Sequence, residues 1–594
     1  MWRLPLFALL AVASASGAAL EKPFHTVFSV KDLPSFGAEG AEAGKLAVSL
    51  PALNTPEGSL PGIRIQCSAA ASNPRNAQIV ASVPVGVDSG DTLWIRFLMR
   101  TTASEQESGE GRVQVVFENA GNFEKSLQYS ASTGRAWKEV MVPFAAKGTT
   151  EARGTRLCLR LGYQRQDLEI AGLEIRDYGR GVAVADLPLS KQEFNYDGMK
   201  ADAPWRAEAD ERIDKLRKAN LVINVVDASG KPVEGATVDI VQTKHEYLFG
   251  SAVNAAIVAS QDGEESQKYR EAIAQDFNVV TFENDLKWAR WMQDRETPLA
   301  AARWCQRSGI TLRGHTLVWA SWRKLPSFMK DLSAKSPELR DQVMRHIQDE
   351  ATALGPLAAI WDVLNEPFDN HDLMDRFGDG FIVDCFAAAR RAAPAARLFI
   401  NDYGIVSDRG LDHNHQDNYE KNIRFLVDHQ APLQGIGIQG HFGQELTAPV
   451  RILEILDRFG SFHLPIQMTE FSLQIEDRKI GAAYLRDVLT VFFSHPSTDG
   501  FVLWGFKDGP GGFKQFATLY EEQWQLTPCG QVWRDLVYGK WWTKEQLQTS
   551  ASGSAELRGF RGEYQVTAKH GDSTASTTLK LGAEGAEGHL QLGE

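Results

Sequence analysis

Between about residues 247 and 540, short apolar runs alternate with longer stretches of helical periodicity. Eight such runs stand out, at 248–253, 279–282, 311–317, 360–364, 398–402, 435–439, 466–469 and 500–504. They recur about every 30–45 residues, the length of a strand plus a crossover helix. The intervening segments are amphipathic, as at 451–459. Parallel strands covered on both faces are apolar almost throughout, and these runs are. Eight strand–helix units predict a closed (β/α)8 TIM barrel, an α/β fold, over 246–545. An open doubly wound sheet is the alternative, but no GxGxxG phosphate turn follows the first run.

The rhythm differs on either side. Residues 24–180 alternate polar and apolar positions at a period of two, as in 91–99, 112–117 and 156–162, with Gly, Ser, Asn and Asp breaking the runs. This predicts an all-β sandwich of jelly-roll type. It resembles the carbohydrate-binding modules attached to secreted glycosidases. Trp94, Phe117, Tyr129 and Trp137 are its candidate stacking rings, provided that they are exposed. Residues 181–245 read as a charged linker and helix, followed by two β runs, 221–227 and 236–241, around Gly230-Lys231-Pro232. That pattern predicts a β hairpin leading into the barrel. Residues 555–594 return to short alternating strands, a small β tail packed on the barrel.

The N-terminus carries Arg3, an apolar core at 4–12 broken by Pro5, and small-residue cleavage candidates at 13–15 and 16–18. Residues 1–18 therefore read as an export signal, and a secreted or periplasmic protein is expected. A membrane anchor is the alternative, but the run is short of the ~20 apolar residues a span needs, and no later run approaches that length. Lys plus Arg number 63 and Asp plus Glu 76, a net charge of -13, which argues against nucleic-acid or anionic-membrane partners. Five cysteines (Cys67, Cys158, Cys305, Cys385 and Cys529) show no CxxC spacing, so a metal cluster is not expected. A Cys67–Cys158 bridge is conceivable, and buried free thiols are the favoured reading. No metal, nucleotide or redox cofactor is implied, and a monomer is expected.

Two glutamates end apolar runs: Glu366 in Trp361-Asp362-Val363-Leu364-Asn365-Glu366-Pro367, and Glu470 in Pro465-Ile466-Gln467-Met468-Thr469-Glu470-Phe471. The C-terminal rim of a β/α barrel is where such enzymes keep their reactive groups. Two carboxyls there can cleave a glycosidic bond through an oxocarbenium-like transition state. In a retaining enzyme they stand about 5–5.5 Å apart, one protonating the leaving oxygen and the other attacking the anomeric carbon.

The whole series resembles glycoside hydrolase family 10, whose best-known members are endo-1,4-β-xylanases. The matching pieces, in chain order, are Phe249-Gly250-Ser251-Ala252-Val253; Phe282-Glu283-Asn284-Asp285-Leu286-Lys287-Trp288; Arg313-Gly314-His315-Thr316-Leu317-Val318-Trp319; the Glu366 segment; Asn401-Asp402-Tyr403; Gly435-Ile436-Gly437-Ile438-Gln439-Gly440-His441-Phe442; Thr469-Glu470; and Trp504-Gly505-Phe506-Lys507-Asp508. The resemblance covers about 290 residues. It implies Glu366 as acid/base and Glu470 as nucleophile. It also implies a sugar site from Glu283, Asn284, Lys287, His315, Trp319, Asn365, Tyr403, Gln439, His441 and Trp504. The substrate implied is xylan or a related β-1,4-glycan.

The chain departs from the family pattern at three places: Ala320 stands where a His commonly follows the third-strand Trp, Ser472 where an Asp commonly follows the nucleophile, and Phe513 replaces a second Trp one position later, after Gly-rich 509–512. These departures keep two alternatives open: a catalytically impaired glycan-binding barrel, and a retaining β-1,4-glucanase or other β-glycosidase on the same fold.

Overall fold

The computed structural model describes residues 20–32, 36–190, 194–332, 337–509 and 516–593. The export-signal segment 1–18 and Phe513 lie outside them. The chain divides into two compact units, Met1–Phe194 and Asn195–Glu594.

The first unit is a β-sandwich. Its seven-stranded sheet is built around Gly58–Cys67, Thr92–Ser104 and Gln166–Asp177, and its five-stranded sheet around Gly111–Asn119 and Thr155–Arg160, all paired antiparallel. Alternation decides which side chains meet between the sheets. Ile63, Ile65, Ile95, Phe97 and Ile170 from one sheet share a core with Val113, Val115, Phe117, Leu157 and Leu159 from the other. Phe117 is therefore buried in this core, and Trp94, on the other face of its strand, is buried against Tyr178, Val182 and Leu187, so both are unavailable to a ligand. Tyr129 is half-buried against the same core, and Trp137 lies under the Arg100 guanidinium at 4.7 Å. Among the described residues all five cysteines are free and buried, Cys67 and Cys158 included.

The second unit contains the barrel. Its eight strands are Leu248–Val253, Val279–Phe282, Thr311–Val318, Ala358–Asn365, Arg397–Asp402, Gly435–Ile438, Ile466–Leu473 and Thr498–Leu503. Every neighbour pairing is parallel, and the eighth strand pairs back onto the first through Leu248↔Gly500, which closes the sheet. Closure removes both edges, so every interior strand can be wholly apolar without exposing a ladder. Each sequence run lies within the observed strand or overlaps it to within a residue or two. The seventh strand runs four residues further than its apolar run because His441–Phe442 adds a short parallel pairing to Ser472–Leu473.

The expected hairpin is not one. Lys218–Val226 and Thr237–His245 do not pair with each other. The first lies between Ser554–Phe560 and Ala586–Gln591; the second lies between Lys544–Gln548 and Gly562–His570, with Ser573–Leu581 beyond. The pre-barrel segment and the C-terminal tail thus make one small two-sheet sandwich. A two-stranded hairpin leaves an apolar face wet. Here Leu221, Ile223 and Val225 of one strand and Val238 and Ile240 of the other bury theirs in a shared core with Tyr564, Val566 and Leu590.

Ile240 has no exposed surface in that core. Ile240→Ala should destabilise the second unit by about 2–5 kcal/mol, read as a lowered denaturant midpoint of the full chain. An unchanged midpoint would mean that the two segments do not depend on each other.

Candidate active site

Glu366 directly follows the fourth strand and adopts φ 53°, a left-handed conformation that costs a non-glycine residue on the order of 1 kcal/mol. Its N–H is anchored to the Asn401 carbonyl at 2.8 Å on the neighbouring strand. This turn brings the side chain back over the barrel mouth, where four N–H groups meet its carboxyl. Trp319 Nε1 (3.0 Å) and Asn370 Nδ2 (3.2 Å) donate to Oε2, while Asn365 Nδ2 (3.0 Å) and Gln439 Nε2 (3.2 Å) donate to Oε1.

Glu470 lies within the seventh strand. Asn401 Nδ2 donates to its Oε1 at 2.9 Å, His441 Nε2 lies 3.3 Å from Oε2, and His315 Nδ1 stands 4.0 Å from Oε1. The same Asn401 amide donates to Asn365 Oδ1 at 2.9 Å. Two side chains, Asn365 and Asn401, therefore link the carboxyl of Glu366 to that of Glu470. The Thr469 hydroxyl donates to Asn401 Oδ1 at 2.7 Å and fixes which way the amide faces. A Cβ on Gly437 would stand 2.4 Å from that oxygen, so the sixth strand must be glycine there.

Burial alone would push the Glu470 carboxyl up. The charges of His315 and His441, with hydrogen bonds from His441 and Asn401, outweigh it and hold the group at about 2. His315 is itself held by Asp362 at 3.0 Å, and Asp362 is paired with the Arg313 guanidinium. Arg313 and Asp362 are fully buried among the barrel strands. Their charges are taken up by each other, by His315 and by Gln467.

The other predicted positions fall around this pair. Trp504 is half-buried, with its ring edge-on to His315 at 5.5 Å and to His441 at 6.2 Å. Lys287 donates to Asn284 Oδ1 at 2.8 Å and lies 5.2 Å over the Trp319 ring. The Tyr403 hydroxyl donates to Asp369 at 2.5 Å, and burial together with that carboxylate raises the phenol well above its ordinary range. Glu283 is half-buried at the rim and, among the described residues, makes no hydrogen bond or ion pair to either glutamate. Gln439 Oε1 is a buried acceptor without a hydrogen-bond partner among the described residues, which leaves it available to a hydroxyl of a bound ligand.

Several positioning groups escaped the sequence reading. Asn401 was visible only as the start of a strand-end motif. Asn370 is held by the Ser321 hydroxyl at 2.6 Å, which aims its amide N–H at Glu366. Arg313 and Asp362 carried a signal, charge inside apolar runs, that gives no partner. Among the described residues no group of three or more His, Cys, Asp or Glu is arranged to hold a metal ion, and no helix is long and apolar enough to cross a membrane.

Residues 239–533 match the profile of Glycosyl hydrolase family 10, from the strand before the barrel to the helix after its last strand. The barrel belongs to glycosyl hydrolase family 10. Its relatives include "Anti-sigma-I factor RsgI6" of Acetivibrio thermocellus, 29% identical over 368 residues, covering 61% of this chain and 46% of that protein. They also include "Endo-1,4-beta-xylanase 5-like" of Arabidopsis thaliana, 26% identical over 388 residues, covering 62% of this chain and 65% of that one. The matched segment is thus under two thirds of either relative's length. Among solved structures, xylanase 10B from Thermotoga petrophila in complex with xylobiose aligns at a TM-score of 0.44 and 24% identity, over 50% of this chain and 95% of that one. The closed strand ladder shows the β/α barrel, and the profile match over residues 239–533 shows the family.

Two outcomes follow from the electrostatics of this family 10 site. Asp362→Ala leaves the buried Arg313 without its carboxylate and should cost about 3–5 kcal/mol, read by chemical denaturation against the wild type. Glu470 is depressed in the folded state from 4.5 to about 2, so its stabilising contribution is complete above 4.5 and is lost as pH falls toward 2. Glu470→Gln should flatten the fall in melting temperature across that window. An equal fall in both proteins would show that Glu470 is not the group responsible.

Proposed function

We propose that the chain is a secreted retaining endo-β-1,4-xylanase, cleaving internal linkages of xylan by double displacement, with Glu366 as acid/base and Glu470 as nucleophile. One observation carries this reading: two buried carboxyls at one barrel rim are tied together through Asn365 and Asn401, and one of them is held firmly ionised. Family membership supports hydrolysis of a polysaccharide, and relatives named as endo-1,4-β-xylanases support xylan. The Arg3 leader supports export.

In the first step the Glu470 carboxylate attacks the anomeric carbon. The C–O bond to the leaving sugar breaks, and the Glu366 carboxyl proton passes to the departing oxygen. Glu470 is then a neutral glycosyl ester and Glu366 a carboxylate, which the N–H groups of Trp319, Asn370, Asn365 and Gln439 are placed to receive. In the second step Glu366 takes a proton from water, the hydroxide oxygen bonds to the anomeric carbon, and Glu470 leaves as a carboxylate. His441, His315 and Asn401 stabilise its returning charge. Both displacements invert, so the configuration is retained.

Purified wild type should release reducing sugars from xylan with the β-anomer appearing first by proton NMR, and cellulose run in parallel tests a glucanase. Glu366→Gln should lower kcat by about 10²–10⁴-fold, and Glu470→Ala should abolish turnover while xylan retention on an affinity gel persists. Appearance of the α-anomer would refute double displacement. A folded wild type that retains xylan but cleaves no β-1,4-glycan would establish the impaired, glycan-binding barrel instead.

A further inference from the structure

The end of the barrel away from the two glutamates holds a cavity of its own. Its volume is about 350 Å³, and it lies where the first, fifth and eighth strands begin. Tyr247 directly precedes the first strand, Arg397 opens the fifth, and Asp499 is the second residue of the eighth. Arg217, the last residue of the helix Trp205–Arg217, reaches in from before the barrel, and Glu246 and Arg561 border the space beside the small sandwich. Glu366 and Glu470 lie toward the other ends of their strands, so this cavity is separate from the catalytic pair.

The charges around it do not balance. Arg397 is paired with Asp499 at 2.6 Å, and Arg561 with Glu246 at 2.8 Å. Arg217 is only 7% exposed and, among the described residues, has no carboxylate within ion-pair distance. Its Nε and Nη2 groups donate to the carbonyls of Phe493 (2.7 Å), His495 (2.7 Å) and Thr498 (2.9 Å). The first two cap the C-terminal end of the helix Arg478–Ser494, where a cation is favourable. They leave Nη1 without a protein acceptor among the described residues and the charge without a counter-ion, and burial lowers the pKa of the guanidinium.

A second donor is likewise left over. Tyr247 is 5% exposed, with its ring 4.8 Å from the Arg217 guanidinium. Its hydroxyl is buried and has no partner in hydrogen-bonding geometry among the described residues. Thr498 is a near neighbour, but its Oγ1 already donates to the His495 carbonyl at 3.1 Å and accepts an N–H of Arg217 at 3.1 Å. A phenol O–H and the Nη1 N–H groups thus border one space without an acceptor. An arginine buried for structure alone has its donors met by carbonyls, because each unmet one costs free energy.

Independently of the reaction at the rim, we propose that this cavity binds the oxyanion of a small ligand, a carboxylate or a phosphate, between Arg217 Nη1 and the Tyr247 hydroxyl, with Phe493 and Phe560 as its apolar wall. One negative charge balances Arg217, and the planar guanidinium suits either oxyanion. The volume is at the small end of ligand pockets, room for a body of about one sugar ring. The base of a β/α barrel serves stability rather than chemistry. A ligand there ties the helix before the barrel to the first and eighth strands and to the small sandwich.

The test is isothermal titration calorimetry of the full chain at constant ionic strength, with sodium phosphate in one arm and sodium glucuronate in the other. Wild type should bind one oxyanion per chain in at least one arm, and its melting temperature should rise with the same anion. Phosphate alone assigns a phosphate site, glucuronate alone a sugar-carboxylate site, and binding in both arms the shared oxyanion chemistry. Tyr247→Phe, which keeps the ring and loses only the hydroxyl, should weaken binding by about tenfold. Arg217→Gln should abolish it; if that variant fails to fold, Tyr247→Phe decides alone. No binding in either arm overturns the site, and so does binding that Tyr247→Phe leaves unchanged. Binding lost in Glu366→Gln but kept in Tyr247→Phe puts the anion at the rim and overturns it equally.

Discussion

The site depends on one side-chain amide. Asn401, fully buried at the end of the fifth strand, gives one N–H to Glu470 and the other to Asn365, which in turn donates to Glu366. Two carboxyls brought together in a low-dielectric pocket repel each other and favour structures that separate them. An amide bridge supplies donors to both without adding charge. The bridge works in one orientation only, which the Thr469 hydroxyl enforces from the seventh strand. Gly437 keeps the sixth strand close enough for the amide to fit.

Around this bridge the charges are arranged in a graded series. Arg313 and Asp362 neutralise each other among the barrel strands, Asp362 also holds His315, and His315 stands with His441 on either side of Glu470. A buried ion pair is weak as a source of stability but fixes geometry well, because breaking it strands a charge. The result is an asymmetric pair of glutamates. Glu470 faces histidines and an amide, whereas Glu366 faces N–H groups of amides and an indole. That asymmetry is what the proposed division of acid/base and nucleophile between two identical residue types requires.

Much of this was legible in the chain. Period-two alternation marked the first sandwich, and eight apolar runs at regular spacing marked the barrel, because strands buried on both faces have no other composition open to them. Glu366 and Glu470 were visible as charges at the ends of such runs. Their support was harder to read. Asn370 and Ser321 come from loops after the fourth and third strands and meet through a single hydrogen bond that no sequence spacing encodes. Lys218–Val226 and Thr237–His245 read as partners because they are neighbours in sequence, yet each pairs with strands more than 300 residues away.

The sequence by itself determined the element types, the closed barrel and the rim that carries the two glutamates, since periodicity and burial of apolar faces are local properties that accumulate along the chain. Tertiary structure alone decided which amide bridges those glutamates, which histidine nitrogen faces which oxygen, and that the two ends of the second unit share one core. Those outcomes rest on inter-strand register and on directional hydrogen bonds between distant residues, and both come into being only when the sheet closes.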